Sequence, residues 1–191
     1  MTKFLLALHV LAAIVAVGPV TVAASMFPPS ARQALAEPGS ERAVSVVRLL
    51  HRICRVYAGV GISVPVLGLA TALSMGVLKD AWLITSMVLT TLAAMVLVAL
   101  VLPRQEEIVE GLAKAKAKAD VEAEAKATAT ATATATPTTV GATTAGPATA
   151  PEPTINPRTT VQLAMFTGVF NLLWATVTVL MIVRPGSTTG A

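Results

Sequence analysis

The sequence predicts an all-α fold: an integral membrane four-helix bundle with a partly disordered cytoplasmic loop. Three observations support this. Four stretches, Phe4–Met26, Val56–Leu78, Trp82–Leu102 and Val161–Val183, are apolar and contain no Asp, Glu, Lys or Arg. Each is long enough to span, since about 20 residues at 1.5 Å rise cross roughly 30 Å of hydrocarbon. Charged residues make up only 13% of the 191-residue chain, about half the ~25% of soluble domains. Finally, the cations alternate in density between loops. Lys3, Lys79 and Arg184 fall on one side. Arg32, Arg42, Arg48, Arg52 and Arg55 in the first loop and Arg104, Lys114, Lys116, Lys118, Lys126 and Arg158 in the third fall on the other. The bias places loops 27–55 and 103–159 in the cytoplasm and both termini outside a cell membrane.

The first span ends where Phe27-Pro28-Pro29 is expected to close its helix, because proline lacks a donor and clashes with the preceding turn. An alternative takes Met1–Lys3 as an n-region and Val22-Ala23-Ala24 as a cleavage site, so that 1–24 would be a removable signal peptide. His9 lies inside this span, on the same face as Ala12, Ala13 and Ala16. An ionisable residue within a span is a functional candidate by default. The simpler expectation is an interhelical hydrogen bond, with Asn171, Gln162 or the hydroxyls of Thr85, Ser86, Thr90 and Thr91 as partners.

Ser40 is expected to cap a helix over 41–55. Arg48, His51, Arg52 and Arg55 follow at steps of three, one and three and so share a face. That face is expected to lie at the membrane surface against anionic lipid headgroups, each basic residue adding about 1 kcal/mol. The second span carries Gly68, Ala72 and Gly76 at intervals of four, a spacing that lets another helix approach closely. Pro65 is expected to kink it and free a carbonyl near Gly61. The link Lys79-Asp80-Ala81 is so short that spans two and three should form an antiparallel hairpin.

Within the third loop, 104–127 is rich in Ala, Glu and Lys. Glu110/Lys114 and Glu122/Lys126 stand in the helix-favouring order. Ile108 and Leu112 give it an apolar face only at its start, so the remainder should be a solvated helix with no core to join. From Ala127 the chain alternates Ala and Thr and then becomes rich in Thr, Ala, Pro and Gly, which suggests a disordered tether. Thus 1–102 holds three spans and the basic helix, 103–159 the charged helix and linker, and 160–191 the fourth span and a short tail.

The composition argues against several chemistries. Cys54 is the single cysteine, so no intrachain disulfide or paired-cysteine metal site can form. There is no phosphate loop, nucleophile elbow or acidic pair within a span. The two histidines, His9 and His51, lie near opposite membrane faces, too far apart to ligate one haem iron together.

Two stretches, Leu8-His9-Val10-Leu11-Ala12-Ala13-Ile14-Val15-Ala16-Val17-Gly18 and Arg48-Leu49-Leu50-His51-Arg52, resemble a family of uncharacterised bacterial predicted integral membrane proteins with four spans, a domain of unknown function. The likeness covers 1–102 and extends weakly over 160–183. A more distant similarity links them to the membrane domain of copper-resistance protein D. The family implies an integral membrane protein of unassigned activity, and the copper kinship implies His9 as a haem- or copper-linked residue. The expected role is a non-enzymatic accessory or scaffold protein that packs against other membrane proteins or itself, not nucleic acid, and without a cofactor. Haem or copper handling through His9 is the alternative, and a small transporter hinged at Pro65 the third.

Overall fold

A computed structural model describes residues 2–37, 39–133 and 157–185. Among the described residues the chain is all-α, with six α-helices and a π-helical segment along four long rods. α1 covers Thr2–Ala36, α2 Glu41–Val60, α3 Ser63–Met75, α4 Ala81–Met95, α5 Leu102–Ala133 and α6 Pro157–Val183. All four rods are long and apolar enough to cross a membrane. The expected linker beyond 133, and the tail beyond 185, lie outside the described residues. The alternation of Ala and Thr at 127–133, expected to begin the tether, instead continues α5; Ala is the strongest helix former and outweighs the weaker Thr.

α1 does not close at Phe27-Pro28-Pro29. It runs on to Ala36, with Pro19, Pro28 and Pro29 inside it. Packing explains the difference. Phe27, Ala31 and Ala34 are fully buried in one cluster with Val47, Leu50 and Cys54 of α2 and Ile108 and Leu112 of α5. Burying Phe27 contributes roughly 1.5–3 kcal/mol toward the cost of about 3 kcal/mol for each of the two interior prolines, the rest of the cluster adds to it, and the small alanines let α1 and α2 approach closely. Ile108 and Leu112, the apolar start expected of 104–127, join this core, and residues 120–128 are exposed. Beyond the apolar spans, then, α1, α2 and α5 form a three-helix cap. Ser40 caps α2 as expected, accepting from the Ala43 amide at 3.4 Å.

α2 and α3 form one rod with a break at Gly61–Ile62, four residues before Pro65. Pro65 cannot donate to the Gly61 carbonyl, which instead accepts from the Val64 amide at 3.2 Å. Pro65 itself sits in the first turn of α3, where a donor is dispensable. Gly76 ends α3 in the left-handed conformation, φ 70°, a role that suits a residue without Cβ. At this turn end Trp82 donates to Asp80 at 3.1 Å, and the Arg184 guanidinium lies 5.6 Å from its ring centre. The last turn of α6 is thereby fastened to the start of α4.

The expected hairpin of spans two and three is only partly formed. Ala72 meets Trp82 and Leu83 near the turn. Further along, α3 packs on α1 and α4 packs on α6, while α1 and α6 also pack together. α3 and α4 share no seam of comparable extent, because the small face of α3 is taken by α1. α2 and α5, which continue these two rods, do pack together in the cap.

The rod containing α4 and α5 passes through a π-helical segment, Val96–Val101, in which the Leu102 amide bonds to the Leu97 carbonyl. The buried residues Ala93, Leu97, Val101 and Gln105 explain its position. Steps of four overshoot an α-helical turn by about 40° each, so three would rotate the buried face by about 120°. The wider i→i+5 turn absorbs that drift. One buried stripe can then serve both the span and the cap.

Candidate functional site

The polar side chains that the structure brings together form three separate groups rather than one centre. The first is His9. Its Nδ1 lies 3.1 Å from the Val64 carbonyl oxygen, so Nδ1 carries the proton and donates. In a helix that carbonyl already accepts from the amide four residues on, which is Gly68. A Cβ at Gly68 would stand 2.9 Å from His9 Cε1. Glycine at this position therefore opens the path by which the ring reaches the backbone. The interhelical contact expected of His9 exists, but its partner is the backbone of α3 rather than Asn171, Gln162 or the hydroxyls of α4. Thr85, Ser86, Thr90 and Thr91 bond instead to the carbonyls four residues before them, at 2.8–2.9 Å. Such back-bonding satisfies a hydroxyl without any neighbour.

Gly68, Ala72 and Gly76 do not act as one docking stripe. Gly68 is covered by His9, Ala72 is buried in the cluster with Trp82, and Gly76 is the cap of α3.

The second group lies where α2 meets α5. Gln105 is fully buried. Its Oε1 is 3.2 Å from His51 Nδ1, and its Nε2 donates to Cys54 Sγ at 3.6 Å. His51 is thus half-buried and turned toward α5, away from the membrane-surface face expected for it. The reason is positional: His51 stands beside the buried positions Val47, Leu50 and Cys54 on the wheel. Arg48, Arg52 and Arg55 are exposed. About three turns toward the start of α2, the Lys116 ammonium pairs with the Glu41 carboxylate. That pairing holds the Glu41 carboxyl below the usual carboxylate range and raises Lys116. Gln105 is the residue that sequence reasoning missed. Its only signal was its place in the four-residue stepping of the buried stripe.

The third group joins α1 to α6. Asn171 Nδ2 donates to Ser25 Oγ at 3.1 Å, and Thr167 is buried one turn away. Gln162 is exposed on α6.

Could these residues hold haem or copper? His9 Nδ1 is committed to Val64, so only Nε2 could bind a metal. Among the described residues no group of three or more His, Cys, Asp or Glu could hold an ion. His51 is no second ligand. It lies thirteen residues from Val64 along the rod of α2 and α3, about 20 Å at 1.5 Å per residue, against the ~4 Å that axial nitrogens on one iron require. The groups present do not fit a bis-histidine haem or a multidentate copper site.

Comparison with models of known protein families, with curated proteins and with solved structures finds no match.

Proposed function

We propose that the protein is a non-enzymatic accessory or scaffold protein of the cell membrane, with the three-helix cap in the cytoplasm and both termini outside. The observation that carries this reading is the outward face of α6. Ala164, Gly168 and Ala175 are all exposed. At spacings of four and seven they share one face, and a Cβ at Gly168 would meet nothing within 4 Å. In lipid, association depends on close backbone approach and packing rather than on expelling water, and small residues four apart supply that approach. Asn171 Oδ1 and Thr167 Oγ1 are buried without a hydrogen-bond partner among the described residues, but His9 and Asn171 each donate one hydrogen bond to a neighbouring helix. They support packing more readily than catalysis.

A photo-crosslinking residue at position 164, in cells making the full chain, tests the reading. A discrete adduct of defined mass, lost on Gly168→Leu and retained on Val169→Leu, which lies about 100° round the helix from Gly168, is the expected result. Lipid adducts alone, or a protein adduct indifferent to Gly168→Leu, would contradict it.

A further inference from the structure

We infer that the edge between α2 and α5 binds the headgroup of an anionic phospholipid. Arg48, Arg52 and Arg55 hold the phosphate, and the acyl chains lie against the exposed apolar residues of the rod below them.

Arg48, Arg52 and Arg55 fall within about 60° of one another on a wheel of 100° per residue. Glu41 lies in the same strip and pairs with Lys116 of α5, so the strip borders α5 rather than facing away from it. Among the described residues none of the three arginines has an ion-pair partner, while Glu41 and Glu107 are engaged by Lys116 and Arg104. The strip therefore presents unneutralised guanidinium groups over two turns, a geometry suited to phosphate oxygens.

What lies beside the strip decides which phosphate. Leu49, Val56 and Val60 are exposed next to the arginines, where a free anion or a soluble acidic partner would leave them in water. Below Arg55 the rod enters its apolar span. Ile62 at the break and Val66 of α3 are exposed along this stretch. Cations above and exposed apolar side chains below match a lipid: a charged head at the cap boundary and tails alongside the rod.

The test uses the full chain in neutral detergent, equilibrated with equal amounts of phosphatidylglycerol and phosphatidylcholine, with retained lipid counted by native mass spectrometry. Arg52→Gln/Arg55→Gln is compared with the charge-matched Arg32→Gln/Arg42→Gln. The wild type should favour phosphatidylglycerol. Arg52→Gln/Arg55→Gln should lose about 30-fold of that preference, from about fivefold per arginine near an anionic surface, and Arg32→Gln/Arg42→Gln should keep it. Circular dichroism establishes that each variant is folded, and Arg48→Gln alone replaces a double variant that is not. Equal loss in both doubles would reduce the effect to diffuse charge attraction and overturn the inference. So would a wild type without headgroup preference, or release of the lipid by millimolar inorganic phosphate.

Discussion

Gly68→Ala, made with and without His9→Ala, probes the closest approach in the bundle. In the wild type the added methyl would sit 2.9 Å from His9 Cε1, so the ring must swing away from the Val64 carbonyl, now 3.1 Å from its Nδ1. Losing an interhelical hydrogen bond in a membrane costs about 0.6 kcal/mol on average and up to about 1.7. Overpacking adds about 1–3 kcal/mol where the neighbour cannot give, toward the lower end here because the clash is with a side-chain tip. Against this, replacing glycine by alanine inside a helix gains about 0.5–1 kcal/mol. Gly68→Ala alone should therefore destabilise by about 1 kcal/mol. In the His9→Ala background the clash and the bond are already gone, and the same substitution should stabilise by about 0.5–1 kcal/mol. The difference, a coupling of about 1.5–2 kcal/mol, is read by reversible unfolding in mixed micelles as a double-mutant cycle. Additive effects within about 0.5 kcal/mol would refute the contact.

Three further outcomes follow from the cap. Gln105→Ala should destabilise by about 1–3 kcal/mol, because it strands the His51 donor beside a new void; Gln105→Leu should recover part of that loss, and equal stability of all three proteins in urea titrations would contradict the burial. Phe27→Ala should cost about 3–5 kcal/mol, measured the same way; a change below 1 kcal/mol would mean that α1 does end at Pro28. The pair of Glu41 and Lys116 should fasten α2 to α5 only within a pH window. Glu41 is held low, so its contribution is present above the usual carboxylate range and fades as pH falls through its lowered value. Lys116 is raised, so its contribution is present below the usual lysine range and fades as pH climbs through its raised value. Amide exchange in the first turn of α2 should rise at acid pH in the wild type and be pH-insensitive, after correction for intrinsic rates, in Glu41→Gln; identical profiles would exclude the linkage.

By itself the sequence determined the class and number of the rods, because twenty uncharged apolar residues admit few structures in which every backbone group is satisfied. It also located the Ser40 cap and the break near Gly61, which arise from a hydroxyl three residues before an amide and from a proline without one. Only the tertiary structure decided which rods touch. That Gly68 receives a ring from α1, that α3 packs along α1 rather than α4, and that α1 runs through two prolines into a cap are matters of packing between segments distant in the chain. Local propensity carries no information about them. The inward turn of His51 follows the same logic: step counting grouped it with the arginines, and a buried glutamine fifty-four residues away claimed it.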